Sequence, residues 1–183
     1  MNEKEIYLHI EDWLKDNKKV AIANVVETWG SSPRPVGSIM AINENNQVLG
    51  SVSGGCVESF VFGKGLEVIS NGKVQTLDFG VTNSQAWEVG LTCGGKIKVF
   101  LEKVTKENIS YIKKINSMNN LRKNLVIATR LKDGKKKIVD DFNEIKDSII
   151  QKECINLNKI GKSKLKLISD DLWFFKIFNN NIK

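Results

Sequence analysis

Histidine is almost absent from this chain of 183 residues. His9 stands alone, so any Cys–His nucleophile pair or histidine-rich metal site would have to be built on it. It lies in an amphipathic first segment, where a solvated or capping role is expected. Cysteine is nearly as scarce. The three present are Cys56, Cys93 and Cys154, an odd number without Cys-x-x-Cys spacing. That argues against a disulfide framework and gives no support to a zinc site from Cys56, Cys93 and His9. A reducing cytoplasm is the expected compartment. No apolar run approaches the roughly 18 to 20 residues of a membrane span. The opening Met1-Asn2-Glu3-Lys4-Glu5 lacks the apolar core of a secretory signal. No Walker A, Gly-x-Gly-x-x-Gly or Gly-x-Ser-x-Gly pattern occurs. Gly161-Lys162-Ser163 has the Walker ending, but Asn156 stands where the first glycine belongs.

Arginine is also scarce: Arg34, Arg122 and Arg130 account for all of it, against 25 lysines. The charge is uneven. Residues 1–103 hold 10 basic and 12 acidic side chains, whereas residues 104–183 hold 18 and 9. A Lys-rich half can attract nucleic acid or an acidic protein. The shortage of arginine, the side chain suited to bidentate grips on phosphate and guanine, disfavours nucleic acid. An AT-rich genome would write the same bias towards Lys, Asn and Ile.

What is present reads as an α+β fold: a mixed sheet with flanking helices, in a single compact domain with a Lys-rich C-terminal extension. Residues 1–103 are expected to form the functional part, with 104–183 packed on it as the extension. Ile6, Ile10, Trp13 and Leu14 repeat with helical spacing. Val20 to Thr28 is a near-continuous apolar strand. Ile39 to Ile42 and Val48 to Val52 form a hairpin, and a helix carrying Val57, Phe60, Val61 and Val68 runs to a stop at Asn71-Gly72. Val74 to Phe79 and the stretch around Ile97, Val99 and Leu101 are strands, with a helical turn around Trp87 between them. Further on, helices are expected over 106–117 and 140–151, a hairpin around Asp133-Gly134, and strands at 164–167 and 172–178.

Three segments could carry chemistry. Ser53-Gly54-Gly55-Cys56-Val57-Glu58 lies at a strand-to-helix junction. Its glycines open conformations closed to other residues, and a helix start offers unpaired N–H groups and a positive dipole end to an anion. The same field would favour a Cys56 thiolate; the alternative is a tight turn with a small buried residue. Leu91-Thr92-Cys93-Gly94-Gly95 mirrors it. If the two loops converge, they offer two soft sulfur ligands and bare backbone donors. The loop from Ser31 to Ser38 holds both prolines of the chain, and Arg34 between them could clamp an anion, or could be an incidental charge on a surface turn. Trp29 and Trp87 flank the glycine loops and could stack on a planar ring or pack in a core. Cys154 has no glycine beside it and reads as structural. Glu58, Asp78 and Glu88 could do acid–base work, but their spacing does not require it.

In this order, Val26 to Ser38, Gly50 to Glu58, Asp78-Phe79-Gly80, Ala86 to Leu91 and Cys93 to Ile97 resemble the N-terminal domain of the XdhC/CoxI family. These are the accessory proteins of xanthine and carbon monoxide dehydrogenases. The resemblance covers residues 20–103. It implies a non-catalytic maturation factor that binds molybdenum cofactor (molybdopterin) as cargo, supports its sulfuration by a cysteine desulfurase, and passes it to an apo-molybdenum hydroxylase. It implies cofactor contacts at Arg34, Ser53, Gly54, Gly55, Cys56, Glu58, Cys93, Gly94 and Gly95, with Cys56 and Cys93 as molybdenum contacts. The two loops would meet within one subunit or across a homodimer. Fuller members carry a second, dinucleotide-binding half that is expected here from a separate chain, if it is needed. The alternative reading is a sulfur-transfer or redox enzyme acting through Cys56.

Overall fold

The computed structural model describes residues 1–32, 34–55, 57–80, 95–143 and 148–180. The chain divides into two compact units, Met1–Ile109 and Ser110–Lys183.

The first unit opens with helix α1 (Glu3–Lys15). Asn2 caps it: its side chain accepts from the Glu5 amide while Glu5 reaches back to the Asn2 amide, a reciprocal capping box. The stripe expected from the spacing is the buried one, Ile6, Ile10, Trp13 and Leu14, with Tyr7 beside it. Strands β1 (Val20–Trp29), β2 (Ile39–Asn43), β3 (Val48–Gly50), β4 (Gln75–Phe79) and β5 (Lys96–Val104) form one sheet in the order β3-β2-β1-β5-β4. Helix α2 (Val57–Asn71) lies across one face of it. Its side chains Val57, Val61 and Val68 pack against Ala21, Ala23, Val25, Ile42, Val99 and Leu101. Each fully buried Val, Leu or Ile of such a core contributes about 1.5–3 kcal/mol. Phe60 and Phe79 meet edge to face at 5.6 Å, fastening α2 to β4. Gly65 permits the close approach of helix and sheet: a β-carbon there would stand 2.4 Å from Ile42 Cδ1.

The second unit begins with α3 (Ser110–Asn120), then β6 (Leu125–Arg130), β7 (Lys136–Val139), α4 (Ile149–Ile160), β8 (Lys164–Ile168) and β9 (Asp171–Phe178). Its four strands run in the order β7-β6-β9-β8. Cys154 and Leu157 of α4 pack on Val126, Ala128, Val139 and Phe175. Gly161 ends α4 in the left-handed conformation, its N–H returning to Leu157.

The α+β class expected from the sequence is the one found, with helices flanking sheet. Where one mixed sheet is expected there are two sheets, and every strand pairing among the described residues is antiparallel. Three local expectations also shift. The helix expected over 106–117 is a 3-10 turn (Lys106–Asn108) followed by α3. Of the helix expected over 140–151, the described residues show a local turn in which Asp141 takes the Asn143 amide, and α4 from Ile149, whose Cys154 and Leu157 are buried with Ile150 packed beside them. In β8, Leu167 is 67% exposed, and it is the alternate set that faces α4: Ile168 packs there and Lys166 reaches Glu153 at 2.6 Å. The turn expected around Trp87 lies outside the described residues. No helix among the described residues is long and apolar enough to cross a membrane.

Candidate functional site

The long strand β1 sets one end of the first sheet. Its pairing with β5 joins Val20 to Val104 at one end and Trp29 to Lys96 at the other, with a bulge between Val25 and Glu27. Beside the bulge the proline loop closes back on the strand. Gly37 donates to the Val25 carbonyl at 2.8 Å and the Val25 amide donates to Ser38 at 2.9 Å. Gly37 has φ +97°, a conformation that favours glycine. The loop is therefore anchored at its base, and Arg34 near its tip is exposed. The Arg34 carbonyl accepts from the Ser32 hydroxyl at 2.9 Å.

The same register carries Gly95 against the start of that loop. A β-carbon on Gly95 would stand 2.6 Å from the Ser31 carbonyl oxygen and 3.1 Å from that of Trp29. Next to it, Lys98 of β5 is paired with Glu27 of β1 on one side and Asp78 of β4 on the other. Its ammonium lies 3.8 Å from Glu27 and 3.3 Å from Asp78. So three segments far apart in sequence — Glu27 to Ser31, Asp78 to Gly80, and Gly95 to Lys98 — meet at one sheet end. Trp29 is 46% exposed there. The sequence alone does not single out Lys98; the signal for it is a lysine amid the apolar alternation of β5, opposite two acidic residues once the register is known.

A second cluster forms where β3 hands over to α2. Glu58 sits in the first turn of α2 and turns its carboxylate back over the preceding loop. One oxygen accepts from the Ser51 hydroxyl at 2.6 Å, the Ser53 amide at 2.9 Å and the Gly54 amide. The other accepts from the Ser53 hydroxyl at 2.8 Å and the Gly55 amide at 2.6 Å. Burial pushes this carboxyl's pKa up, but the bonds from Ser51, Gly54 and Ser53 outweigh it and hold it at about 2. Gly54 has φ +80°, which aims successive N–H groups at one centre. The backbone donors that the sequence offers to an anion thus close on an anion of the chain's own. Ser53 is buried, and nothing would crowd a β-carbon on Gly54 or Gly55.

Cys56, Cys93 and Gly94 lie outside the described residues, and so does any meeting of the two cysteine loops. Cys154 is fully buried; desolvation first, and then Glu153, push its thiol up to about 12. Among the described residues, no group of three or more His, Cys, Asp or Glu side chains is placed to hold a metal ion.

Comparison with known proteins bears on this sheet end and this loop. Residues 13–80 match the model of the XdhC and CoxI family. The N-terminal region of the chain is homologous to that family. Two curated relatives extend the similarity. The molybdenum cofactor insertion chaperone PaoD of Escherichia coli is 33% identical over 91 residues, 50% of this chain and 28% of the relative. A probable xanthine dehydrogenase subunit of Bacillus subtilis is 30% identical over 105 residues, 56% of this chain and 32% of the relative. The chain therefore spans about a third or less of the length of these relatives. A crystal structure described as a xanthine dehydrogenase from Bacillus halodurans shares the fold, with a TM-score of 0.67 at 22% identity over 79% of this chain and 44% of that one. The family match includes the proline loop, Ser53 to Gly55 and Glu58, and stops at Gly80.

Proposed function

We propose that this chain is a maturation factor that binds molybdenum cofactor and delivers it to a molybdenum hydroxylase, and that it does not itself turn over substrate. The observation that carries the reading is the 33% identity to a molybdenum cofactor insertion chaperone over half of this chain. The convergence of Glu27 to Ser31, Asp78 to Gly80 and Gly95 to Lys98 supports it, because a cargo site on one chain needs distant segments to share one surface.

In this reading the thiols of Cys56 and Cys93 supply the soft ligands that suit a thiophilic metal centre. Gly94 and Gly95 keep side chains away from the cargo, and exposed Arg34 offers a guanidinium to its anionic arm. Ser53, Gly54 and Gly55 shape the loop that precedes Cys56. The partners are an apo-molybdenum hydroxylase and a cysteine desulfurase.

The test is anaerobic loading of the full chain with molybdenum cofactor, followed by gel filtration and assay of the pterin that co-elutes. Wild type is expected to retain cofactor near one equivalent, and Cys56→Ala and Cys93→Ala to lose it while staying folded. A wild-type chain that retains no pterin would sink the proposal.

A further inference from the structure

The amides of Ser53, Gly54 and Gly55 look, in the sequence, like a cradle for a ligand's phosphate. In the structure Glu58 occupies it. We propose that Glu58 is a positioning residue: its carboxylate fills this cradle permanently, fixes the loop between β3 and α2, and so excludes an incoming oxyanion from these amides. The part concerning cargo rests on the cofactor-handling reading above; the part concerning the loop rests on geometry alone.

An ionised carboxylate is an acceptor only, with about four lone-pair directions. Here it takes five donors: two serine hydroxyls and three backbone amides. Its acceptor capacity is used up, and both hydroxyls are spent as donors on it. The tie runs in the other direction as well, since the Glu58 amide donates to the Gly55 carbonyl at 3.1 Å. The charge also sits in the first turn of α2, where the exposed N–H groups and the helix dipole favour it. A phosphate entering the cradle would have to displace a tethered carboxylate that loses little entropy on binding and already satisfies every donor. The functional consequence is that the anionic arm of the cargo must be met by other donors, while the loop leading into Cys56 is held in one shape before cargo arrives.

The isosteric Glu58→Gln variant is the sharpest probe, because it turns an NH2 group towards donors that need an acceptor. In the full chain, amide exchange at Ser53, Gly54 and Gly55 is read by NMR, with near-UV circular dichroism as the check on folding. Exchange at these amides is expected to rise about tenfold or more in Glu58→Gln. In Glu58→Ala, added formate is expected to restore protection by refilling the cradle, which a loss of helix stability alone would not allow. Inorganic phosphate is expected to leave the wild-type Gly54 and Gly55 amide shifts unchanged. Cofactor retention is expected to fall several-fold in Glu58→Gln and to recover with formate in Glu58→Ala. Unchanged exchange in Glu58→Gln, or saturable phosphate shifts at Gly54 and Gly55 in wild type, would overturn the clasp. Raised exchange with full cofactor retention would overturn its positioning role. A wild type that binds no cofactor removes the cargo reading, and the exchange, formate and phosphate arms still decide the clasp.

Discussion

Gly95 lies so close to Ser31 that a β-carbon on it would stand 2.6 Å from the Ser31 carbonyl oxygen. The obstacle is backbone, and that backbone is the start of a loop fastened to β1 through Gly37 and Ser38. Neither side can yield by rotating a side chain. Gly95→Ala is therefore expected to destabilise the chain by about 2 kcal/mol, within the range of overpacked sites. It is also expected to displace the proline loop. Urea unfolding reads the first effect and pterin co-elution the second. Wild-type stability and retention in this variant would show that the two segments are not in contact.

Helix α2 contains its own control for such crowding. Gly63 is exposed, with nothing near the position of a β-carbon, whereas Gly65 is buried against Ile42. Gly63→Ala is expected to stabilise by about 0.5–1 kcal/mol through helix propensity alone. In Gly65→Ala the obstacle is the tip of the Ile42 side chain, which is fully buried and must turn within a packed core, so overpacking of about 1–3 kcal/mol outweighs that gain. Thermal melts of the two variants should move in opposite directions.

Acid tests the Glu58 cluster. Burial raises the pKa of this carboxyl, but the bonds from Ser51, Gly54 and Ser53 prevail and leave it at about 2 in the folded chain. An unfolded glutamate titrates at about 4.3. The folded state thus binds fewer protons across that interval. Glu58's contribution is fully present above the unfolded pKa and is lost as pH falls towards about 2. Asp133, held at about 2 by Arg130, titrates in the same window. The comparison of wild type with Glu58→Gln isolates the Glu58 share. Urea midpoints measured down this range should fall more steeply for wild type, and parallel curves would refute the assignment.

Cys154 is expected to be inert. It is fully buried, and desolvation followed by Glu153 hold its thiol at about 12. Thiol reagents at neutral pH should leave Cys154 unlabelled in native protein and reach it only in denaturant. Mass spectrometry of the labelled peptides decides the point; rapid native labelling of Cys154 would contradict the packing of α4 on Val126 and Phe175.

The elements of the first unit are legible because their periodicities coincide with burial. Ile6, Ile10, Trp13 and Leu14 announce α1, and Val20 to Thr28 announces a buried strand. The Lys98 row cannot be read in the same way, because it depends on β1 and β4 flanking β5, a register no local pattern encodes. At Glu58 the residue is among the candidates and the anion-binding donors are anticipated. What stays hidden is that the side chain four residues beyond Gly54 folds back onto those donors. In β8 the alternation of Lys164 and Lys166 with Leu165 and Leu167 is visible. The face turned to α4 depends on Glu153 waiting for Lys166 on the helix opposite.

The pairing of β1 with β5 has a consequence for synthesis on the ribosome. Central strand β1 can zip onto β2 as soon as Asn43 has left the exit tunnel. Its other edge must wait for Lys96 to Val104. Throughout that interval a ten-residue, largely apolar strand presents an unpaired row of amides and carbonyls. Nascent chains stalled between Gly80 and Lys96 should therefore recruit holding chaperones and aggregate when released, whereas chains stalled well beyond Val104 should not.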